Sequence, residues 1–197
     1  MSIPIGIIYK LTCSKYRIEV KILRAIHHVV LNEIKSSWTI PRTILDVGCG
    51  NGSFTRVVSA AFPGSDITAI DTSISKLYTF DNIEFMKGSV EQLPFASESF
   101  DIVITVLSLH HWKEKGKGIS EIYRVLKKEG RIIIGDPLLE DWMSNRILGL
   151  LMQVLDGGVF TDKKRVSGYL NMAGFEDISI SLIPNTMKSL YLISAKK

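Results

Sequence analysis

The amino-acid sequence predicts an α/β fold of three layers, in which a mostly parallel seven-stranded sheet lies between helices and ends in an antiparallel C-terminal hairpin. Three observations lead there. Short runs rich in β-branched residues ("TILDVG", "DITAID", "IEFMKG", "FDIVITVL", "RIIIGD") alternate with segments of helical periodicity over about ninety residues. These runs are apolar almost throughout, as strands must be when helices cover both faces of a parallel sheet. Finally, "EDISISLI" and "KSLYLISAKK" are joined by only a few residues around Pro184, and so short a connection demands an antiparallel pair.

The helices follow in chain order. From Lys15 to Trp38, the residues Ile22, Leu23, Ile26, Val30 and Ile34 form one apolar stripe, which predicts an amphipathic helix ended by Pro41. His27 and His28 on this helix are read as packing or surface residues. "SFTRVVSAAF" is a second helix, stopped by Pro63 and Gly64. "SISKLYTF" is a short one, and the segment from Gly116 to Lys128 leads into the fifth strand. Glu140 to Leu155 is helical and apolar, and "DKKRVSGYLNMAGF" is a last helix closed by Gly174.

Composition narrows the class. At 197 residues, 46% apolar and 22% charged, without linkers, like-charge blocks or repeats, the chain is expected to form one domain. The N-terminal "MSIPIGIIYKLTC" lacks a basic leader region, and no apolar run approaches the ~18 residues of a membrane span, so a cytoplasmic protein is expected. Cys13 and Cys49 have neither metal-ligand spacing nor disulfide density, and no metal is expected. The net charge of +4 is scattered over helix-like segments. It leaves a nucleic-acid partner open without supplying an aromatic-basic strip.

The chemistry concentrates in "ILDVGCGNGSF", Ile44 to Phe54, where the first strand runs into Gly48, Gly50 and Gly52. In an open parallel sheet, ligands bind at the carboxyl ends of the strands, near the point where strand order reverses. The register G-x-G-x-G differs from the dinucleotide fingerprint G-x-G-x-x-G, and no G-K-[ST] follows to make a P-loop.

"DVGCGNG" resembles motif I of the class I S-adenosylmethionine-dependent methyltransferases. Further segments in order are similar to the small-molecule branch that includes ubiquinone and menaquinone methyltransferases: "AIDTS", "GSVEQLPFASESFDIVI", "SLHHW" and "EIYRVLKKEGRIIIGDP". The likeness covers roughly residues 42 to 137 in detail. It implies a Rossmann-like methyltransferase fold, S-adenosylmethionine as cofactor with S-adenosylhomocysteine as product, and a set of binding positions. Gly48 and Gly50 would let the backbone approach the methionine end, and Gly52 would offer free N–H groups at the helix start. Cys49 and Asn51 would be presented by their backbone. Asp46 would act near the cofactor's ammonium, directly or by bracing the loop, or would fix the turn. Asp71, with Thr72, would face the ribose hydroxyls, or Asp71 would cap a helix beginning near Ser73. Ser89 stands where the resemblance leads one to expect an Asp against the adenine amino group, with Val90 beside it. Val106, ending the fourth strand, completes the set.

Methyl transfer from a sulfonium is an in-line displacement, so the protein mainly supplies alignment and water exclusion. An acceptor that must lose a proton needs a base, and His111, with His110 behind it as the weaker candidate, follows the fourth strand. There is no N-P-P-Y or D-P-P-Y, the tetrapeptide that in the family goes with planar nitrogen acceptors. Tyr9, Tyr16, Trp112, Trp142 and Phe160 lie in the segments expected to cover the acceptor. The chain therefore reads as 1–41 helical cap, 42–137 cofactor-binding core, 138–174 helical substrate-side insertion and 175–197 hairpin. Its expected activity is methylation of a small apolar or aromatic acceptor. Two alternatives stay open: an RNA or protein methyltransferase of the same fold, and an inactive cofactor-binding module acting through a partner.

Overall fold

The computed structural model describes residues 23–37, 40–74, 82–139, 157–184, 186 and 189–197. The expected helix from Glu140 to Leu155, and nearly all of "SISKLYTF", lie outside them. So do Tyr9, Tyr16, Trp38 and Trp142.

The elements are α1 (residues 23–37), β1 (Thr43–Val47), α2 (Ser53–Ala61), β2 (Asp66–Asp71), β3 (Ile83–Lys87), β4 (Phe100–Val106), α3 (Lys115–Val125), β5 (Leu126–Pro137), α4 (Lys163–Ala173), β6 (Glu176–Leu182) and β7 (Leu190–Lys196). The seven strands form one sheet in the order β3-β2-β1-β4-β5-β7-β6. β1 to β5 run parallel, and β7 lies antiparallel between β5 and β6. The order reverses beside β1, whose neighbours are β2 and β4, so the helices that follow β1 and β4, α2 and α3, lie on opposite faces of the sheet and leave a crevice there. No helix among the described residues is long and apolar enough to cross a membrane.

Alternation along the strands builds the three layers. Leu45, Val47, Val103, Ile132 and Ile134 share one apolar cluster with Ile119 and Ile122 of α3 and Val166 and Leu170 of α4. Ile44, Ile102, Ile104 and Ile133 share the other with Ile26, Val30 and Ile34 of α1 and Val58 of α2. Each buried Ile or Leu contributes about 1.5–3 kcal/mol relative to exposure, so this two-sided burial is the main term holding the sheet. Gly135 of β5 lies under α1, where an added Cβ would come within 2.8 Å of the Ile26 side chain. His27 stacks on Phe54, the ring centroids 4.6 Å apart, while His28 is exposed beside Asn32. Helix α4, which the sequence groups with the insertion 138–174, packs against α3.

One boundary differs from the expectation. Helix α3 ends at Val125, not Lys128, because Leu126 is wholly buried and pairs with Phe100 of β4. The chain then turns through Glu129 (φ 66°) and Gly130 before register resumes with Arg131 opposite Ile102. Helical propensity of the "KK" pair yields here to the demand for a core side chain.

Asp101 ties the bottom of the sheet together. Its carboxylate accepts hydrogen bonds from the backbone N–H groups of Arg42 (2.8 Å) and Thr43 (2.9 Å), from Thr43 Oγ1 (3.1 Å) and from Lys127 Nζ (2.9 Å). Burial pushes its pKa up, but Lys127 and these N–H donors outweigh burial and hold it below the usual carboxylate value. A depressed acid stabilises the fold above its unfolded pKa and loses that contribution as pH falls through the folded one. Asp101→Ala is thus expected to cost about 2–4 kcal/mol in denaturant unfolding at pH 7, with the difference shrinking below about pH 4. A variant as stable as wild type at pH 7 would contradict this.

Candidate functional site

A cleft of about 680 Å³ opens at the carboxyl ends of β1, β2, β3 and β4. Its size is that of a small-molecule site. The loop after β1 is its floor. Gly48, Gly50 and Gly52 all adopt left-handed backbone (φ 73°, 54° and 72°), which explains three glycines at alternate positions. The individual reasons differ. A Cβ on Gly48 would lie 1.8 Å from Ser108 Oγ, whereas one on Gly50 would meet nothing within 4 Å. Gly50 therefore presents bare backbone to the cleft, and Gly48 lets the loops after β1 and β4 touch.

The loop is stitched to β2. Gly48 N and Cys49 N both donate to Ile70 O, at 2.8 and 3.3 Å. Gly50 N donates to Asp71 Oδ2 at 2.9 Å, and Asp71 Oδ1 accepts from Ser73 N and Ser73 Oγ, both at 2.8 Å. Burial raises the Asp71 pKa, but these donors and the nearby His111 more than offset it, and the carboxyl sits below its ordinary value. An ionised carboxylate has about four acceptor sites, so Asp71 keeps capacity for ligand hydroxyls.

Of the expected cofactor positions, Gly48, Gly50, Asp71, Thr72, Ser89 and Val90 line the cleft, as does His111. Asp46, Cys49, Asn51, Gly52 and Val106 do not form its wall. Two expectations are corrected. Gly52 N is not free, since it donates to Cys49 O at 2.8 Å, and its glycine is required because a Cβ would come 2.8 Å from the Phe85 ring. Asn51 acts through its side chain as well as its backbone: Oδ1 accepts from Ser53 N at 3.0 Å, an Asx turn just before α2.

Asp46 faces the α2 side of β1, where it is 2% exposed and accepts from Thr55 Oγ1 at 2.6 Å. It braces strand to helix. Burial is the largest influence on it and, with repulsion from Asp71, raises its pKa from 3.8 to about 7 against the opposing Thr55 bond. Since folding disfavours the ionised form, stability is full below about pH 4 and declines as pH rises towards 7. Asp46→Asn, which keeps the shape, is expected to gain on the order of 2–4 kcal/mol over wild type at pH 8 and nothing at pH 4. Thermal unfolding at the two pH values decides, and an equal effect at both would refute the assignment.

The wall built from the loop after β3 holds an acid the sequence does not foresee. Ser89 Oγ donates to Glu91, whose other oxygen accepts from Lys113 N at 3.0 Å. Glu91 thus links the loop after β3 to the entrance of α3. Burial raises its pKa, but the Ser89 hydroxyl and the N–H groups of Glu114 and Lys113 draw it below the ordinary value. The far wall comes from the turn after β4. Leu107 is left-handed (φ 53°) although it is not glycine, and Trp112 Nε1 donates to Ser108 Oγ at 3.1 Å. A left-handed non-glycine costs roughly 1–3 kcal/mol and persists where packing over-determines it. Leu107 is revealed by its backbone angle and Ser108 by its long-range contact with Gly48. Among the described residues, no group of three His, Cys, Asp or Glu side chains is placed to hold a metal ion.

Comparison with known proteins agrees with this geometry. Residues 45–134 match the family described as "Methyltransferase domain". The chain is 30% identical over 116 residues to an uncharacterized methyltransferase, YcgJ, of Bacillus subtilis, covering 52% of this chain and 46% of that protein. It is 34% identical over 100 residues to the demethylmenaquinone methyltransferase of Chlorobaculum parvum, covering 49% and 41%. The chain spans less than half the length of these curated relatives. The solved structure of the YcgJ protein superposes with a TM-score of 0.68 at 18% identity, over 86% of this chain and 98% of that one. Human N-acetylserotonin methyltransferase, solved in complex with SAM, gives 0.67 at 22% identity, over 87% and 51%. Residues 45–134 thus resemble a methyltransferase domain, and the fold of the chain is the one shared by these solved methyltransferase structures.

Proposed function

We propose that the chain binds S-adenosylmethionine in the cleft and directs its methyl group to a small apolar or aromatic acceptor. The observation that carries this is Gly50, left-handed and open to the cleft, tethered by Asp71 at the end of β2: bare backbone and a carboxylate side by side at the strand-order reversal. The residues fit the cofactor. Gly48 and Gly50 would hold the methionine end, Asp71 and Thr72 the ribose, and Ser89 and Val90 the adenine. When bound, the cofactor supplies an electrophilic methyl already activated by the sulfonium charge.

The remaining work falls to the chain. The cleft excludes water and fixes the line of attack, which converts a bimolecular step into an oriented one. His111 lines the cleft wall and would take a proton from the acceptor. Trp112 contributes an apolar surface beside it. Support for a small acceptor comes from relatives named for quinone and hydroquinone substrates. We also read residues 1–41 and 138–174 as acceptor-side segments around the core 42–137, and the cytoplasm as the place of action.

Calorimetry with S-adenosylhomocysteine is the first test, with micromolar affinity expected; no binding at millimolar ligand would end the reading. Radiolabelled methyl transfer into extracted small-molecule pools, compared with RNA and protein pools, then identifies the acceptor class.

A further inference from the structure

Behind the cleft wall lies a buried pair that the cofactor site does not use. Asp136, near the carboxyl end of β5, is 1% exposed and His110 is 4% exposed. Asp136 Oδ1 meets His110 Nδ1 at 2.9 Å, and Oδ2 accepts from Leu109 N at 3.0 Å. One carboxylate thereby organises the whole 3-10 turn Leu109–His111 that delivers His111 to the cleft. The His110 ring is clamped from outside. Phe160 stacks on it (4.9 Å, 7°), Val159 N donates to His110 O at 2.8 Å, and Gly158 packs so closely that a Cβ there would lie 2.5 Å from His110 Cδ2. The ring centroids of His110 and His111 are 4.1 Å apart.

A buried acid–imidazole pair gives little net stability, because desolvation offsets the attraction. Capping Leu109 N would need only a neutral acceptor. The arrangement is instead that of a carboxylate setting the tautomer of an imidazole. Resting on the reading of His111 as proton acceptor, we propose that Asp136 and His110 are its positioning residues: the carboxylate holds His110 as the Nδ1–H tautomer, and the negative pair stabilises the positive charge that His111 acquires. In the step itself, the acceptor's electron pair forms the bond to the methyl carbon and the C–S pair stays on sulfur. The proton passes to an imidazole nitrogen of His111. Other charges face this array: Asp71 from the end of β2, Glu91 and Lys113 from the cleft wall, and Lys115 of α3, whose pKa burial lowers although Asp136 and Glu91 oppose it; burial likewise raises the Asp136 pKa, against the bonds from His110 and Leu109 N that favour its ionised form.

Asp136→Asn makes a sharp test. The Leu109 N–H must keep an acceptor, so the single amide oxygen turns to it and the NH2 turns to His110 Nδ1. His110 is then forced into the Nε2–H tautomer. Nitrogen-15 NMR of the full chain with labelled histidine, with and without S-adenosylhomocysteine, reads this directly. The expected results are Nδ1–H in wild type, Nε2–H in Asp136→Asn, and a fall of about half a pH unit or more in the His111 titration midpoint. Nε2–H in wild type, an unchanged tautomer in the variant, or an unmoved His111 midpoint each overturns the proposal. The wild-type tautomer needs no variant, so it decides even if Asp136→Asn does not fold. Calorimetry on the same samples separates the two readings: failure of wild type to bind S-adenosylhomocysteine removes the cofactor assignment, while the tautomer result stands on its own.

Discussion

Gly48→Ala is expected to destabilise the chain by about 2–5 kcal/mol, a large share of the roughly 5–15 kcal/mol that typically holds a domain together. Two effects add. The left-handed backbone at φ 73° costs an L-residue roughly 1–2 kcal/mol. The new Cβ would also lie 1.8 Å from Ser108 Oγ and 2.5 Å from Ser108 Cβ, and such overpacking costs typically 1–3 kcal/mol. Ser108 cannot swing aside cheaply, since its hydroxyl is held by the buried Trp112 indole. Adding Ser108→Gly should return the overpacking part and leave the backbone part, and denaturant unfolding of the single and double variants measures both. Gly50→Ala is the control: with nothing within 4 Å it should lose only the backbone part, about 1–2 kcal/mol, and fold. Equal destabilisation by the two substitutions would refute the separate roles given to these glycines.

The second large effect concerns Asp71. Asp71→Ala is expected to weaken S-adenosylhomocysteine binding by about 100-fold or more, since it removes the carboxylate that the proposed function sets against the ribose and frees Gly50 N from its tether. The fold should survive with a loss of about 1–2 kcal/mol, since the bonds lost to Gly50 N and Ser73 lie at an exposed site where water can replace them. Asp71→Asn retains one oxygen and should fall between. Calorimetry at pH 7 with unfolding curves on the same samples tests this, and affinity within threefold of wild type for Asp71→Ala would sink the role.

What the sequence made legible follows the range of the interactions involved. The seven strands and their alternation with helices were readable because each reports itself locally, through apolar runs and the glycines and prolines between them. The floor of the site was readable for the same reason: three alternate glycines constrain backbone whatever lies around them. The walls were not. Ser108 matters because it touches Gly48, sixty positions away, and Glu91 matters because Lys113 N reaches it from the entrance of α3. Leu107 takes a left-handed conformation with no glycine to announce it. His110 gains its partner across 26 positions, in a residue that looks from sequence like the ordinary end of a strand. The α3 boundary failed because "KK" favours helix locally while Leu126 is claimed by the core.

The stitching of the glycine loop to β2 bears on the entropy of binding. Three successive amides, Gly48, Cys49 and Gly50, are bonded to Ile70 and Asp71 of the chain itself. Ordering a residue's backbone costs roughly 1–2 kcal/mol, and for this loop that cost falls on folding and not on association. The floor of the cleft is thus set when β1 pairs with β2, long before any ligand arrives. Its amides should resist hydrogen exchange as the neighbouring strands do, and a ligand should change that protection little.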